Sequence, residues 1–299
     1  MNKQYNESRV VIYEQPQILT GGFSGDIMIR LPQSVLRIYR GSPDSRHIGL
    51  LRALGETRVA PQIYHYFDTG HIEEYINGNP LSMDDSEEMF LSVARALAHL
   101  HTVPLASVPT VNIWDPWTEL YKCIDVFSKE SASASETGID RLSTNKISAE
   151  IESLHNLLRP FIEEDSEQFC LSHNDLFRGN IIRCGDDVRF IDWEMIALFH
   201  PLYDVANFFC ECCIDTNLNY DTSLFPSSDR QTEFIRICIG RYPTSRDTYI
   251  LYLFILLSHL YWAVSGSTYT SEYSSARFAQ YRIYKANLSN FSWEPDHSS

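Results

Sequence analysis

Two polar clusters set between short apolar segments constrain the fold of this 299-residue chain more than any other feature. The first cluster, within residues 171–182, contains Asp175 and Asn180, and the second, within residues 188–194, contains Asp192 and Glu194. The segment between them predicts a loop that leads into a short hairpin with a turn at residues 184–187. Such a hairpin would bring Asn180 and Asp192 to the same end of its two strands.

These side chains have the chemistry that phosphoryl transfer needs. An amide oxygen and a carboxylate can share a hard cation such as Mg²⁺, and Asp175 could then accept the proton of a hydroxyl group. An isolated aspartate with an asparagine five residues later also fits a turn in which the side chain caps the backbone. The ordered series of segments favours phosphoryl transfer over that simpler interpretation.

Composition indicates a globular protein with a substantial core. Apolar residues make up 44% of the chain and aromatic residues 13%, which argues against disorder. The formal net charge of −15 argues against a nucleic-acid partner, because binding to phosphate backbones draws on a basic surface. An acidic surplus is compatible with a cationic substrate, although it also serves simply to keep a protein soluble.

Several features favour a cytoplasmic protein without membrane insertion. The seven cysteines are scattered and form no CxxC motif, so neither a disulfide framework nor a zinc site is indicated. The amino-terminal residues carry no apolar signal segment. The longest apolar run, residues 249–264, contains Ser258 and His259 and is shorter than a bilayer-spanning helix, which predicts a buried helix with a core histidine.

The amino-terminal part predicts strands around one helix, residues 45–57. Two strands within residues 17–30 would join through a glycine-rich turn, and a strand at residues 35–39 carries Arg37. The glycines remove side chains where backbone N–H groups could approach phosphates, but an ordinary hairpin turn explains them too. Two further strands would end at Gly78–Pro80, which breaks the pattern and predicts a hinge.

The rest of the chain predicts mostly helices. One would be capped at Asp84 and stopped by Pro104, and others would include residues 151–161 and the start at Tyr203. His99 and His101 are two residues apart and cannot share a helix face, so packing or solvent exposure is favoured over metal binding.

Three segments, in this order, resemble the choline/ethanolamine kinase family: His173-Asn-Asp-Leu-x-x-x-Asn180, Ile191-Asp-Trp-Glu194 and Tyr203-Asp-Val-Ala-Asn-Phe-Phe. This family belongs to the kinase-like small-molecule phosphotransferases and is related to the aminoglycoside phosphotransferases. The resemblance covers about residues 17–285. It implies an α+β, two-lobed protein-kinase-like fold, with a small β-rich nucleotide-cradling lobe at residues 1–76 and a larger, mostly helical catalytic and substrate-binding lobe at residues 77–299.

The resemblance also implies transfer of the γ-phosphate of ATP to the hydroxyl of choline or ethanolamine, feeding phosphocholine or phosphoethanolamine synthesis in phospholipid metabolism. Asp175 would be the catalytic base, Asn180 and Asp192 would hold Mg²⁺, and Glu194 would reach the metal through water or set the loop. Asp204 would brace the catalytic loop by hydrogen bonds. The implied nucleotide-binding residues are Gly21, Gly22, Ser24, Arg37, Glu74, Tyr75 and Ile76.

An acidic and aromatic pocket beside Asp175 is implied for the amine. Glu211 would offset the substrate cation, although a solvated helix acid is an equal alternative, and Trp262 and Tyr273 would form part of an aromatic cage. Ser265 stands where the family has a second tryptophan, and Met195 where it often has a tyrosine. The thinner cage leaves ethanolamine or another small amine open.

One further departure concerns the nucleotide side. Gly49 stands where kinase-like folds usually place a helix glutamate that orients the basic residue of the strand, here Arg37. Two alternatives to an amino-alcohol kinase therefore remain: a phosphotransferase for another small alcohol such as an aminoglycoside or thiamine, and a non-catalytic nucleotide-binding pseudokinase. The oligomeric state is open, with a dimer as one possibility.

Overall fold

The computed structural model of the protein describes residues 16–19, 26–40, 45–82, 84–109, 111–130, 141–215, 219–266, 271–291 and 293. These residues divide into two compact units, one within residues 1–77 and the other within residues 78–299. Next to the division, Gly78 must lack a side chain, because a Cβ there would lie 2.2 Å from the carbonyl oxygen of Arg183. The segment predicted as a hinge pairs as a two-residue strand, with Asn79 opposite Arg183 and Pro80 opposite Ile182.

The first unit contains a five-stranded antiparallel sheet and one helix. The strands are β1 (Gln17–Leu19), β2 (Ile27–Arg30), β3 (Ser34–Ile38), β4 (Ile63–Phe67) and β5 (Gly70–Glu74), in the spatial order β1-β2-β3-β5-β4. Helix α1 (Ser45–Glu56) buries Ile48, Leu51 and Leu54, which recur at helical spacing. The strands and the helix predicted for this region are therefore present.

The second unit is mostly helical, with short strands around the predicted catalytic segments. Its helices are α2 (Glu87–His101), α3 (Pro116–Glu130), α4 (Arg141–Glu164), α5 (Pro201–Cys212), α6 (Ser228–Ile239), α7 (Ser245–Ser265) and α8 (Ser271–Asn287). Its strands are β6 (Asn79–Pro80), β7 (Cys170–Ser172), β8 (Ile181–Cys184), β9 (Asp187–Phe190) and β10 (Ala197–Phe199). Residues 131–138, whose serine- and alanine-rich sequence predicts a surface loop, lie outside the described residues.

Helix α7 forms the centre of this unit, in contact with α3, α4, α5 and α8. Thr244 and Asp247 form a capping box at its amino end. The expectation that its apolar run is too short for a bilayer was wrong, because the helix extends over Ser245–Ser265, long and apolar enough to cross one. Its most apolar window is 83% buried inside the protein, so the predicted buried helix is confirmed by packing rather than by length.

The predicted cap of α2 was also wrong. The helix begins after Ser86, whose hydroxyl accepts a hydrogen bond from the backbone N–H of Met89 at 3.3 Å. Serine at this position satisfies one of the free N–H groups of the first turn. The preceding acid, Asp85, instead accepts a hydrogen bond from the N–H of Ser82 at 2.6 Å and thereby closes the turn before the helix.

Candidate active site

One buried carboxylate, Asp204 of α5, holds the loop that begins at His173. Its two oxygens accept hydrogen bonds from the backbone N–H groups of His173 and Asn174, at 3.0 and 2.8 Å. The Nε2 atom of His101 lies 3.0 Å from the same carboxylate. Because Asp204 is fully buried, the loop is fixed to a core helix. The predicted bracing role of Asp204 is confirmed, and His101 packs against it.

Two residues of this region adopt a left-handed backbone conformation. φ is 64° at Asn174 and 63° at Asp192. The side-chain amide of Asn174 donates to the carbonyl oxygens of Ser172 and Met195, at 3.1 and 3.0 Å, which helps to hold that conformation. Strained backbone of this kind concentrates at functional sites, where the surrounding structure must maintain it. Here it occurs immediately before Asp175 and at a predicted metal ligand.

Asn180 ends a short 3₁₀ turn, Arg178–Asn180, that brings its side chain to Asp175. The amide nitrogen of Asn180 donates to the carbonyl oxygen of Asp175 at 2.9 Å and to its carboxylate at 3.3 Å. A Cβ at Gly179 would lie 2.4 Å from the ring of Phe177, so any side chain in this turn would displace that ring. With its nitrogen committed to Asp175, Asn180 has its amide oxygen as the atom that could ligate a metal.

The predicted hairpin is present. Strands β8 and β9 pair antiparallel, from Ile181 opposite Phe190 to Cys184 opposite Asp187. Beyond the strands, the N–H of Ile191 donates to the carbonyl oxygen of Asn180 at 2.9 Å. This register places Asn180 opposite the residue that precedes Asp192, at the open end of the hairpin. Glu194 follows in a second 3₁₀ turn, Trp193–Met195.

Four carboxylates interact in this region. Burial raises the pKa of Asp175, and the charges of Glu211, Asp192 and Glu194 raise it further, while the hydrogen bond from Asn180 lowers it. Charges affect one another in this way only over short distances. The loop, the hairpin and α5 therefore bring these side chains together.

The donor set fits a hard divalent cation that binds together with a nucleotide. Within the part of the chain that the structure describes, no three His, Cys, Asp or Glu side chains could hold a metal ion by themselves. Magnesium commonly takes one or two protein carboxylates and completes its shell with phosphate oxygens and water. Asp192, Glu194 and the amide oxygen of Asn180 supply such a partial set. A bound cation would also offset the repulsion that raises the pKa of Asp175.

A buried ion pair lies next to these groups. Glu211 accepts a hydrogen bond from the hydroxyl of Tyr273 at 2.9 Å, and Nη1 of Arg277 lies 3.3 Å from the same carboxylate oxygen. The side chain of Arg277 is fully buried, and that of Glu211 is 10% exposed. Burial raises the pKa of Glu211, and Arg277 and Tyr273 oppose that increase. The alternative of a solvated helix acid is therefore wrong, because Glu211 is buried and partly compensated.

The indole of Trp262 is held by a hydrogen bond to Asn207. Its N–H donates to the side-chain oxygen of Asn207 at 2.8 Å, and the residue is 6% exposed. The amide nitrogen of Asn207 donates to the carbonyl oxygen of Leu176 at 3.3 Å. Because Leu176 directly follows Asp175, one amide group connects the indole to the loop that contains Asp175.

The sequence interpretation missed three polar residues here: Arg178, Asn207 and Arg277. Arg178 donates to the carbonyl oxygens of Cys212 and Ile214, at 2.7 and 3.1 Å, and thereby satisfies the carboxyl end of α5.

Helical spacing could have identified Asn207 and Arg277, because residues four apart share a helix face. Asn207 precedes Glu211 by four residues, and Arg277 follows Tyr273 by four.

In the first unit, Arg37 pairs with an acid that the sequence interpretation did not consider. Its Nη1 lies 3.6 Å from the carboxylate of Asp26, and both side chains are mostly buried. The other oxygen of Asp26 accepts a hydrogen bond from the backbone N–H of Arg40 at 3.0 Å. An acid at the start of β2 therefore contacts Arg37, whereas the prediction looked for one on α1 near Gly49.

The remaining predicted nucleotide-binding residues belong to the same unit. The N–H groups of Glu74 and Tyr75 donate to the carbonyl oxygens of Gln62 and Gln33, at 2.8 and 3.2 Å, and Ile76 is buried. Gly21, Gly22 and Ser24 lie outside the described residues.

Comparison with known proteins agrees with this geometry. A family model described as choline/ethanolamine kinase matches residues 29–290. The chain is 31% identical over 258 residues to probable choline kinase 3 of Arabidopsis thaliana, covering 77% of this chain and 70% of the relative. It is 25% identical over 258 residues to ethanolamine kinase of Drosophila melanogaster, covering 78% of this chain and 49% of the relative. The chain thus spans about half the length of the fly protein.

Solved structures show the same fold. Choline kinase from Cryptosporidium parvum Iowa II aligns with a TM-score of 0.77 at 23% identity, over 92% of this chain and 90% of that one. A gentamicin complex of an aminoglycoside phosphotransferase aligns with a TM-score of 0.58 at 14% identity, over 94% and 93% of the two chains. The predicted α+β kinase-like fold, with a small β-rich amino-terminal lobe and a helical carboxyl-terminal part, is confirmed. The chain belongs to the choline/ethanolamine kinase family.

Proposed function

We propose that this protein transfers the γ-phosphate of ATP to the hydroxyl group of ethanolamine or choline. The observation that supports this most directly is the setting of Asp175. Its carboxylate accepts a hydrogen bond from Asn180 and interacts electrostatically with Asp192 and Glu211. Asp175, Asn180 and three further carboxylates thus lie within one region, which supports a proton acceptor beside a partial metal-ligand set and a buried acid.

In the proposed step, the substrate oxygen forms a bond to the γ-phosphorus while the bond from that phosphorus to the bridging oxygen breaks and ADP leaves. The hydroxyl proton passes to the carboxylate of Asp175. Burial and neighbouring carboxylates raise the pKa of Asp175, which makes its ionised form a better proton acceptor. Because the transition state is loose, orienting the hydroxyl matters at least as much as basicity.

On the metal side, Asn180 and Asp192 would hold Mg²⁺, and Glu194 would contact it through water or set the turn that follows Asp192. The ion would neutralise charge on the phosphates as the bond breaks. The left-handed backbone at Asp192 fixes the direction in which this carboxylate leaves the hairpin. These residues provide oxygen atoms only, as a hard cation prefers.

On the nucleotide side, Arg37 would contact phosphates together with the segment that contains Gly21, Gly22 and Ser24. The backbone of residues 74–76 would contact the adenine. Because the N–H groups of Glu74 and Tyr75 already donate within the unit, the carbonyl groups or the N–H of Ile76 would make that contact.

On the amine side, Trp262 and Tyr273 would offer aromatic surface and Glu211 a carboxylate to the substrate cation. Ser265 and Met195 add no aromatic face, which favours the smaller ammonium group of ethanolamine over three methyl groups. The hydroxyl of Ser265 donates to the carbonyl oxygen of Tyr261 at 2.7 Å.

A substrate panel tests the proposal. Purified protein with Mg²⁺ and ATP should release ADP with ethanolamine or choline and give the phosphorylated amino alcohol by mass spectrometry. Turnover only with an aminoglycoside or thiamine would favour the second candidate, which the shared fold with an aminoglycoside phosphotransferase supports. Nucleotide binding without turnover of any alcohol would favour a pseudokinase.

Asp175→Asn tests the proton acceptor. We expect kcat to fall by about 10²- to 10⁴-fold, the usual contribution of a general base, with nucleotide affinity nearly unchanged. Asp187→Asn, at an exposed residue near the hairpin turn, is the matched control and should retain wild-type turnover. Retained turnover in Asp175→Asn would rule out the assigned base.

A further inference from the structure

A chain of hydrogen bonds connects Arg277 of the buried ion pair with the loop that contains Asp175, and each residue in the chain donates to the next. Nη2 of Arg277 donates to the carbonyl oxygen of Ser258 at 2.9 Å and to its hydroxyl at 2.7 Å. The hydroxyl of Ser258 donates to the side-chain oxygen of Asn207 at 2.8 Å. Asn207 in turn donates to the carbonyl oxygen of Leu176. These links join α8, α7, α5 and the loop, with Asn207 at the junction.

The chemistry of the partners fixes the orientation of Asn207. An indole N–H can only donate, so the group that faces Trp262 must be the amide oxygen. The amide nitrogen therefore faces the carbonyl of Leu176, which can only accept. Rotating the amide by half a turn would place two donors together at Trp262 and two acceptors together at Leu176, whereas the hydroxyl of Ser258 could adapt by accepting.

Burial makes this arrangement stiff. Asn207, Ser258 and Arg277 are fully buried, and a hydrogen bond lost in such surroundings leaves an unsatisfied polar group. Trp262 and Ser258 lie four residues apart on one face of α7 and donate to the same oxygen. The position of the indole relative to Leu176 is therefore set by one side chain.

We propose that Asn207 is a positioning residue that fixes the distance between Trp262 and Asp175 and so selects the length of the amino alcohol. The inference rests on the proposed function, in which the amine contacts Trp262 and the hydroxyl contacts Asp175. A substrate whose nitrogen and oxygen are separated by two carbons then fits, and a longer one presents its hydroxyl out of line. Asn207 itself contacts neither the amine nor the phosphates.

The test compares 2-aminoethanol with 3-amino-1-propanol, which differs by one methylene. Wild type should prefer the shorter substrate by at least about tenfold in kcat/KM, the scale of discrimination for one methylene. Asn207→Leu, of similar size but without either hydrogen-bonding group, should reduce this preference to less than about threefold. It should also lower kcat for 2-aminoethanol by about tenfold, since at least one buried hydrogen bond is lost.

Tyr252→Phe is the matched control. It removes a buried hydrogen bond from the same helix, between the hydroxyl of Tyr252 and the carbonyl oxygen of Tyr284 at 2.6 Å, but touches no site residue. It should lower stability while retaining the preference for the shorter substrate. Should Asn207→Leu fail to fold, Ser258→Ala removes one of the two donors to Asn207 and should shift the preference in the same direction by a smaller factor.

A second measurement is independent of turnover. The indole N–H signal of Trp262 in ¹H–¹⁵N spectra, assigned with Trp262→Phe, should exchange slowly with water in wild type and rapidly in Asn207→Leu. An unchanged length preference in a folded, active Asn207→Leu variant would overturn the inference alone. A wild type that turns over no amino alcohol would instead overturn the proposed function on which it rests.

Discussion

The loop around Asp175 and the proposed amine pocket around Glu211 differ in the groups that act on the central carboxylate. Burial and the charges of Glu211, Asp192 and Glu194 raise the pKa of Asp175, and the hydrogen bond from Asn180 lowers it. Around Glu211 the neighbours are the guanidinium of Arg277 and the hydroxyl of Tyr273. We therefore expect a bound cation to act on the first region, whereas Arg277 supplies a positive charge within the second.

The two regions are also held in different ways. The loop is fixed through its backbone, by Asp204 and by the left-handed residue Asn174. The pocket is fixed through side chains from three helices that meet at Asn207 and Arg277. Substitutions in the pocket should therefore mainly lower the free energy of unfolding, and substitutions in the loop should mainly lower kcat.

The largest expected effect comes from removing the buried guanidinium of Arg277. Arg277→Met leaves Glu211 buried without its partner, and we expect the free energy of unfolding to fall by about 3–5 kcal/mol in urea denaturation. The double variant Arg277→Met with Glu211→Met should recover most of that loss, because the unpaired charge is gone. Equal stability of the single and double variants would contradict the claim that Arg277 compensates the buried charge of Glu211.

Asp204→Asn should have the next largest effect. One oxygen that accepts a backbone N–H becomes an amide nitrogen, which leaves a buried donor unpaired and costs about 2–3 kcal/mol. Turnover should fall more than stability suggests, because the loop before Asp175 loses its brace. Wild-type kcat in a folded Asp204→Asn protein would contradict backbone fixation of the loop.

External cations should stabilise the protein only through the loop. Mg²⁺ with ATP at 100 times the dissociation constant should add about 2.7 kcal/mol to wild-type stability, measured by thermal unfolding. Chelation with EDTA should remove most of this gain, and Asp192→Asn should reduce it strongly while Asp187→Asn keeps it. An equal gain in Asp192→Asn would argue against this residue as a ligand.

The smallest effect concerns acid stability at the far end of α7. Burial raises the pKa of Asp247, but hydrogen bonds from Arg241 and Thr244 outweigh it and lower the pKa to about 2. A lowered folded-state pKa stabilises above the unfolded value of 3.8, and the gain is lost as the pH falls from about 4 to about 2. Because Arg241 is half exposed and water screens the pair, the shift corresponds to at most about 1–2 kcal/mol, and Asp247→Asn should flatten the acid side of the stability profile. If stability depended on pH in the same way in Asp247→Asn and in wild type, the capping box would make no contribution to acid sensitivity.

Much of the architecture follows from local sequence. The hairpin between Asn180 and Asp192, the apolar face of α1 and the placement of Asp204 in the first turn of a buried helix depend on neighbours a few residues apart. Short-range patterns carry that information, because strand alternation and helical spacing repeat within one element. The cap of α2 is the exception at this scale, since Asp84, Asp85 and Ser86 all suit the position and only the backbone selects Ser86.

The sequence by itself determined the loop that leads into the hairpin, the hairpin itself and the helical class of the larger unit. Only the tertiary structure decided that Arg277 compensates Glu211, that Asp26 contacts Arg37, and that Asn207 joins Trp262 to Leu176. Each of these contacts joins residues from different elements, where neither partner constrains the local pattern of the other. A buried polar group must find a partner in space, and the packing of the helices determines which one it finds.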